Sequence, residues 1–295
     1  MDTNDTTKQT KRSRLAYFLR AFGYFVVLAL VNFVAYSAVT DGLSSSLPSW
    51  AAFLAGNLVY LFGVVGLTWA FCHYLDHTSL RSLGLQRQRW LRNLGTGWAL
   101  GAVLQLLIFV VFAVLGWLTV ERAPWQPLEL AASVVSWLII SFNEELAFRG
   151  YIMQRLSQAW GMPAAVVASS LIFAMVHMFN PNFRPLAMVS LFAAGLLLAC
   201  AYLVSRSLWL PIGVHLGWNL MEMQILGFPG SGAPEPAILR ASVTGPEVMT
   251  GGAFGPEGGV LGIVFPLIGI AILLVWYRIA LARQRQNLSG GINER

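Results

Sequence analysis

Apolar runs of about 20 residues recur along the chain, each long enough to cross a hydrocarbon core of about 30 Å. Most of the charge lies in the short stretches between them. In lipid the backbone must satisfy its own hydrogen bonds, so these runs are expected to be helices. The alternating strands of a β-barrel give a much weaker hydropathy signal. Composition agrees: 57% of the 295 residues are hydrophobic and 11% are charged, against about 25% charged in a soluble domain. That leaves too little polar surface to cover a water-soluble globule. The fold class expected is an all-α polytopic membrane protein of about eight transmembrane helices. It forms a single membrane domain over 17–278, without an evident repeat, flanked by basic tails at 1–16 and 279–295.

The runs fall near 17–39, 50–72, 96–119, 128–153, 163–180, 186–204, 208–226 and 259–277. The first follows a basic lead, as a signal peptide does, but its length favours an uncleaved span. Residues 227–258 contain 8 Gly and 5 Pro, a loop too broken for a span, expected as a linker or a lid. With the N-terminus inside, the inner segments hold 16 of the 19 Lys and Arg, leaving Arg122, Arg184 and Arg240 outside. That bias predicts cytoplasmic N- and C-termini. It also explains the net charge of +6 through topology, so no nucleic-acid partner is expected. Membrane lipid is the surrounding partner. Cys72 and Cys200 fall in apolar runs and read as packing residues, with no disulfide framework.

Ionisable side chains at membrane depth cost roughly 2.5–3.5 kcal/mol each on insertion scales, and they usually mark function. Here they gather in the fourth, fifth and seventh runs. Glu145 and Arg149 stand four apart and share a helix face, so they can pair. Glu144 is turned about 100° from Glu145, and its own i+4 neighbour is Phe148. The spacing makes Glu145 the salt-bridged carboxylate and Glu144 the free one, suited to a general base. The fifth run carries His177, one turn after Phe173. The seventh carries His215 and Asn219 on one face, with Glu222 placed to orient either. Together these residues can activate a water and stabilise an oxyanion. For Glu144 to reach the depth of the histidines, the fourth helix must run through Gly150 to about Met153. That puts Glu144 about 14 Å from the helix end, between His177 and His215. His73 and His77, with Asp76 between them, have a spacing that could hold a metal, but they lie at a helix end where such residues are commonly solvated.

At these positions the chain resembles the CPBP family, the CAAX-protease and bacteriocin-processing group of intramembrane endopeptidases. Glu144-Glu145-x-x-x-Arg149 is similar to its first motif, Phe173-x-x-x-His177 to its second and His215-x-x-x-Asn219 to its third, over roughly 130–225. The resemblance implies an eight-helix membrane fold and peptide-bond hydrolysis. Glu144 and His177 would hold the attacking water, His215 and Asn219 would form the oxyanion pocket, and Arg149 would hold Glu145. Members have been described both as glutamate-type proteases and as metalloproteases. No cofactor is assigned, the glutamate-type reading is favoured, and zinc is left open; if zinc is used, its ligands would be Glu144, His177 and His215. The expected substrate is a membrane-associated protein or peptide, with lipid modification left open, and the expected location is a bacterial plasma membrane. No Gly-x-Ser-x-Gly elbow and no intramembrane aspartate support another protease class. The other readings weighed are a non-catalytic scaffold or bacteriocin-immunity factor that keeps the fold, and a proton-coupled transporter.

Overall fold

The computed structural model describes residues 3–230 and 235–293, with side chains described over 13–35, 38–230 and 235–283. The helices, in chain order, are α1 (Thr3–Phe33), α2 (Ser49–Ala70), α3 (Trp90–Val114), α4 (Pro127–Glu145), α5 (Met153–Trp160), α6 (Met162–Val176), α7 (Pro185–Ser205), α8 (Trp209–Asn219), the single turn α9 (Glu247–Thr250) and α10 (Leu261–Asn293). Among the described residues, seven helical stretches are long and apolar enough to cross a membrane. The protein is an all-α polytopic integral membrane protein.

The expected count of about eight is reached differently. The segment 209–225 is helical throughout, as α8 followed by a π-helical turn at Leu220–Ile225. At about 1.5 Å per residue it is only about 25 Å long, and every residue of α8 from Leu210 to Asn219 is buried. A helix surrounded by protein need not match the thickness of the lipid. The polar lead expected as a tail is helical from Thr3 and continuous with the first span. The basic C-terminal stretch continues α10 to Asn293; Arg295, and the side chain of Arg285, lie outside the described residues.

The helix predicted to pass Gly150 does so and goes further. α4, a π-helical segment at Leu146–Ile152 and α5 form one 34-residue helix from Pro127 to Trp160. In the π segment the ladder widens, and the Met153 N–H donates to the Phe148 carbonyl five residues back.

The closest helix pairing is α3 against α8. A Cβ built on Gly97, Gly101, Gly213 or Gly217 would overlap a backbone carbonyl of the facing helix, that of Leu210, Val214, Leu94 and Trp98 respectively. Two small-residue stripes of i, i+4 spacing therefore let the backbones touch, as in close-packed membrane helices.

One departure from a purely helical reading is a short antiparallel ribbon. β1 (Leu118–Arg122) pairs with β2 (Leu239–Val243), from Leu118 opposite Val243 to Arg122 opposite Leu239. This pairing ties the Gly/Pro-rich 227–258 loop to the connection before α4, so the loop is neither a free linker nor a detached lid.

Where α1, the end of α2 and α5 meet, the Asp76 carboxylate is buried. It accepts from Arg20 at 2.8 Å and from the Tyr151 hydroxyl at 2.7 Å, with Arg155 at 3.6 Å. Tyr151→Phe removes one charge-assisted bond of about 1.5–3 kcal/mol. A loss of that size is expected in thermal unfolding of the detergent-solubilised protein.

Candidate active site

A tight turn at Gly161, with φ +86°, joins α5 to α6 and makes 127–176 a helical hairpin. Seventeen positions separate Glu144 from Gly161, and sixteen separate Gly161 from His177. At about 1.5 Å per residue both lie about 25 Å from the turn, so an antiparallel hairpin brings them to one height. This corrects the expected depth of about 14 Å, because the helix ends at Trp160 and not near Met153.

Glu145 and Arg149 form the expected pair. Arg149 Nη1 donates to Glu145 Oε1 at 2.9 Å, and both side chains are fully buried. Arg149 Nη2 also donates to the Gly195 carbonyl of α7 at 3.1 Å. The same Glu145 Oε1 lies 3.0 Å from Nδ1 of His215, from α8. A carboxylate accepts only, so Nδ1 carries the proton and the ring orientation is set. Nε2 then faces Glu144, whose Oε2 lies 3.9 Å away. That distance is an ion contact and not a hydrogen bond, and Glu144 Oε2 has no hydrogen-bond partner among the described residues. The two adjacent glutamates therefore differ in role: Glu145 holds the His215 ring and Glu144 faces open space.

His177 closes the C-terminal turn of α6. Its Nδ1 donates to the Phe173 carbonyl at 2.7 Å, which leaves Nε2 as an acceptor. The Phe173 ring lies 4.6 Å from the His177 ring and 6.1 Å from that of His215, and Arg149 Cζ stands 4.5 Å from its centroid. One buried aromatic ring thus packs against both imidazoles and offers its face to the guanidinium.

These groups border a cavity of about 830 Å³. Glu144, Phe173, His177, His215 and Asn219 line it together with aromatic side chains of α1 and α2, among them Phe33 and Tyr60. Glu145 and Arg149 sit behind this surface and act through His215 and Phe173. Phe33 and Phe179 line the cavity and are also 66% and 91% exposed on the outer surface. The cavity therefore opens beside the ends of α1 and α6.

Some expected contacts do not form. The Glu222 carboxylate orients neither His215 nor Asn219; it accepts from Gln105 Nε2 of α3 at 2.6 Å. Glu222 lies seven positions after His215, within the π-helical turn at Leu220–Ile225, where it faces α3 and does not line the cavity. Asp76 is held by Arg20 and Tyr151, and His73 stacks on Trp69 at 5.3 Å. Among the described residues no three His, Cys, Asp or Glu side chains converge as a metal site. Glu144, His177 and His215 border one cavity without forming a ligand set, so no chemical step is routed through zinc. Two further groups escaped the sequence reading. Glu257 accepts from Trp218 Nε1 at 3.0 Å, and Glu235 accepts from Ser133 at 2.8 Å, which in turn receives Gln224 Nε2 at 3.0 Å. Both glutamates line the cavity. The signal available was three acidic residues, Glu235, Glu247 and Glu257, in an otherwise largely apolar Gly/Pro-rich loop.

Residues 125–221 match the family model described as type II CAAX prenyl endopeptidase Rce1-like. The match covers about a third of the chain and contains all six residues picked out by their spacing. It agrees with the resemblance to the CPBP and CAAX protease group carried by the three motifs. No curated protein and no solved structure matches the chain.

Proposed function

We propose that this protein is an intramembrane endopeptidase of the glutamate type, which hydrolyses a peptide bond of a membrane-associated protein or peptide. The observation that carries the reading is the unequal use of two adjacent carboxylates: Glu145 is consumed by Arg149 and His215, while Glu144 faces the cavity beside His215 Nε2.

Water held between the Glu144 carboxylate and His177 Nε2 loses a proton to Glu144 as its oxygen attacks the scissile carbonyl. In its imidazolium form His215 donates from both nitrogens, Nδ1 to Glu145 and Nε2 towards the developing oxyanion. The Asn219 amide, one turn along the same buried face of α8, supplies the second donor. Protonated Glu144 then returns its proton to the leaving nitrogen, releasing an amine and a carboxylic acid. Arg149 and Phe173 hold this arrangement from behind. The apolar cavity mouth at Phe33 and Phe179 suits a substrate that arrives through lipid, and the surrounding membrane is proposed to be a bacterial plasma membrane with both chain ends cytoplasmic.

Glu144→Gln keeps the shape of the side chain and removes the base. It is expected to lower kcat/KM by about 10²–10⁴-fold and to leave an uncleaved precursor in comparative membrane proteomics. Equal activity of wild type and Glu144→Gln would sink the reading. Purified metal-free protein is expected to remain active. Loss of activity on chelation, restored by added zinc, would replace this mechanism with a metal-dependent one.

A further inference from the structure

The cavity carries acidic charge of which the catalytic steps use only Glu144. Among the described residues that line it there are three carboxylates, Glu144, Glu235 and Glu257, and no Lys or Arg. The proposed mechanism adds a cation to this wall only as the imidazolium of His215, which Glu145 already holds; Arg149 lies behind the Phe173 ring and is held by Glu145 and the Gly195 carbonyl. Asn219 is 6% exposed, lines the cavity and makes no side-chain hydrogen bond among the described residues. It is a polar group shaped for something the cavity receives.

The carboxylates are spread along the cavity. Glu257 is bonded to Trp218, three positions after His215, and so lies beside the proposed oxyanion pocket. Glu235 is bonded to Ser133, near the start of α4, and Ser133 is eleven residues from Glu144. That is about 16 Å along the helix. An extended peptide advances about 3.3 Å per residue, so about five residues span the gap. Burial raises the Glu235 carboxyl above its ordinary range, with the Ser133 bond acting in the opposite sense. A cation brought beside it would relieve that penalty, whereas a second carboxylate would add to it.

We propose that the cavity takes an extended peptide segment with a basic side chain about five residues from the scissile bond, seated at Glu235, and rejects a carboxylate there, including a free C-terminal one. The proposal rests on the endopeptidase reading and adds to it the charge class of the substrate.

The test uses quenched-fluorescence peptides with apolar flanks, presented in detergent micelles to the full-length protein. Peptides differ by Lys or Glu five residues from the cleavage point, placed on each side in turn. On one side the Lys peptide is expected to give a kcat/KM at least about tenfold above the Glu peptide, and Glu235→Lys is expected to invert that order. Binding of the same peptides to Glu144→Gln protein is followed by anisotropy, without turnover. Cleavage with Lys/Glu ratios near one on both sides overturns the charge preference and leaves the endopeptidase reading intact. No cleavage by wild type, with the Lys preference kept in binding, overturns hydrolysis and upholds the cavity preference. The wild-type ratio decides the matter even if Glu235→Lys fails to fold.

Discussion

Arg149→Met is expected to destabilise the protein by about 3–5 kcal/mol, because it leaves the fully buried Glu145 carboxylate without its cation. Adding Glu145→Gln removes that charge as well, and the double variant is expected to regain most of the lost stability. It is not expected to regain activity, since His215 Nδ1 then faces a neutral amide and the ring loses the carboxylate that sets its orientation. Unfolding in mixed micelles gives the stabilities, and the peptide assay gives the activities. A cost below about 1 kcal/mol for the single variant would mean that water reaches Glu145, and the division of labour between the two glutamates would then fall.

A second large effect is expected from Gly101→Leu. The Cβ at this position would meet the Val214 carbonyl and the Trp218 nitrogen. Backbone cannot swing aside as the end of a flexible side chain does, so α3 and α8 must separate. α8 carries both His215 and Asn219, and a displacement near 1 Å at a catalytic group costs about 10²-fold in rate. Gly95→Leu on the same helix is the control, since a Cβ there meets nothing within 4 Å. The comparison is made on protein that elutes as a single folded species. Loss of at least about 100-fold for Gly101→Leu with little change for Gly95→Leu is expected. Comparable activities would show that the contact does not position the site.

What was legible in the chain was short-range. Glu145 and Arg149 are four apart, and helix geometry alone pairs them and turns Glu144 away. The same reasoning required a helix through Gly150. The equal spacing of Glu144 and His177 about Gly161 was equally available, and it fixes their common height better than counting from span ends. The glycines at 97, 101, 213 and 217 also stood in the sequence, but hydropathy averages treat glycine as neutral filler and hide its role in close approach. The rest depends on contacts that no local pattern encodes. His215 reaches Glu145 across 70 residues and Gln105 reaches Glu222 across 117. Glu222 looked like a partner for its helix neighbours because only those neighbours were visible. The β1–β2 ribbon joins segments about 120 residues apart with ordinary loop compositions. The shortness of α8 was masked because the apolar run around it continues into the π turn at Leu220–Ile225.

The site pairs share a backbone device. Glu144 and Glu145 occupy the last α-helical turn before the π segment at 146–152, and His215 and Asn219 lie in the last two α-helical turns before that at 220–225. A π turn holds one residue more than the α ladder it interrupts. It is the footprint of a single-residue insertion inside a helix. Deleting one residue from 146–152 would close that turn to α spacing and leave Glu144 before it and Arg155 beyond it in their present phase, whereas the same deletion from an uninterrupted α ladder would rotate everything beyond it by about 100°. Alignments of related chains that confine gaps to loops will therefore slip by one position across this helix wherever a relative lacks the extra residue.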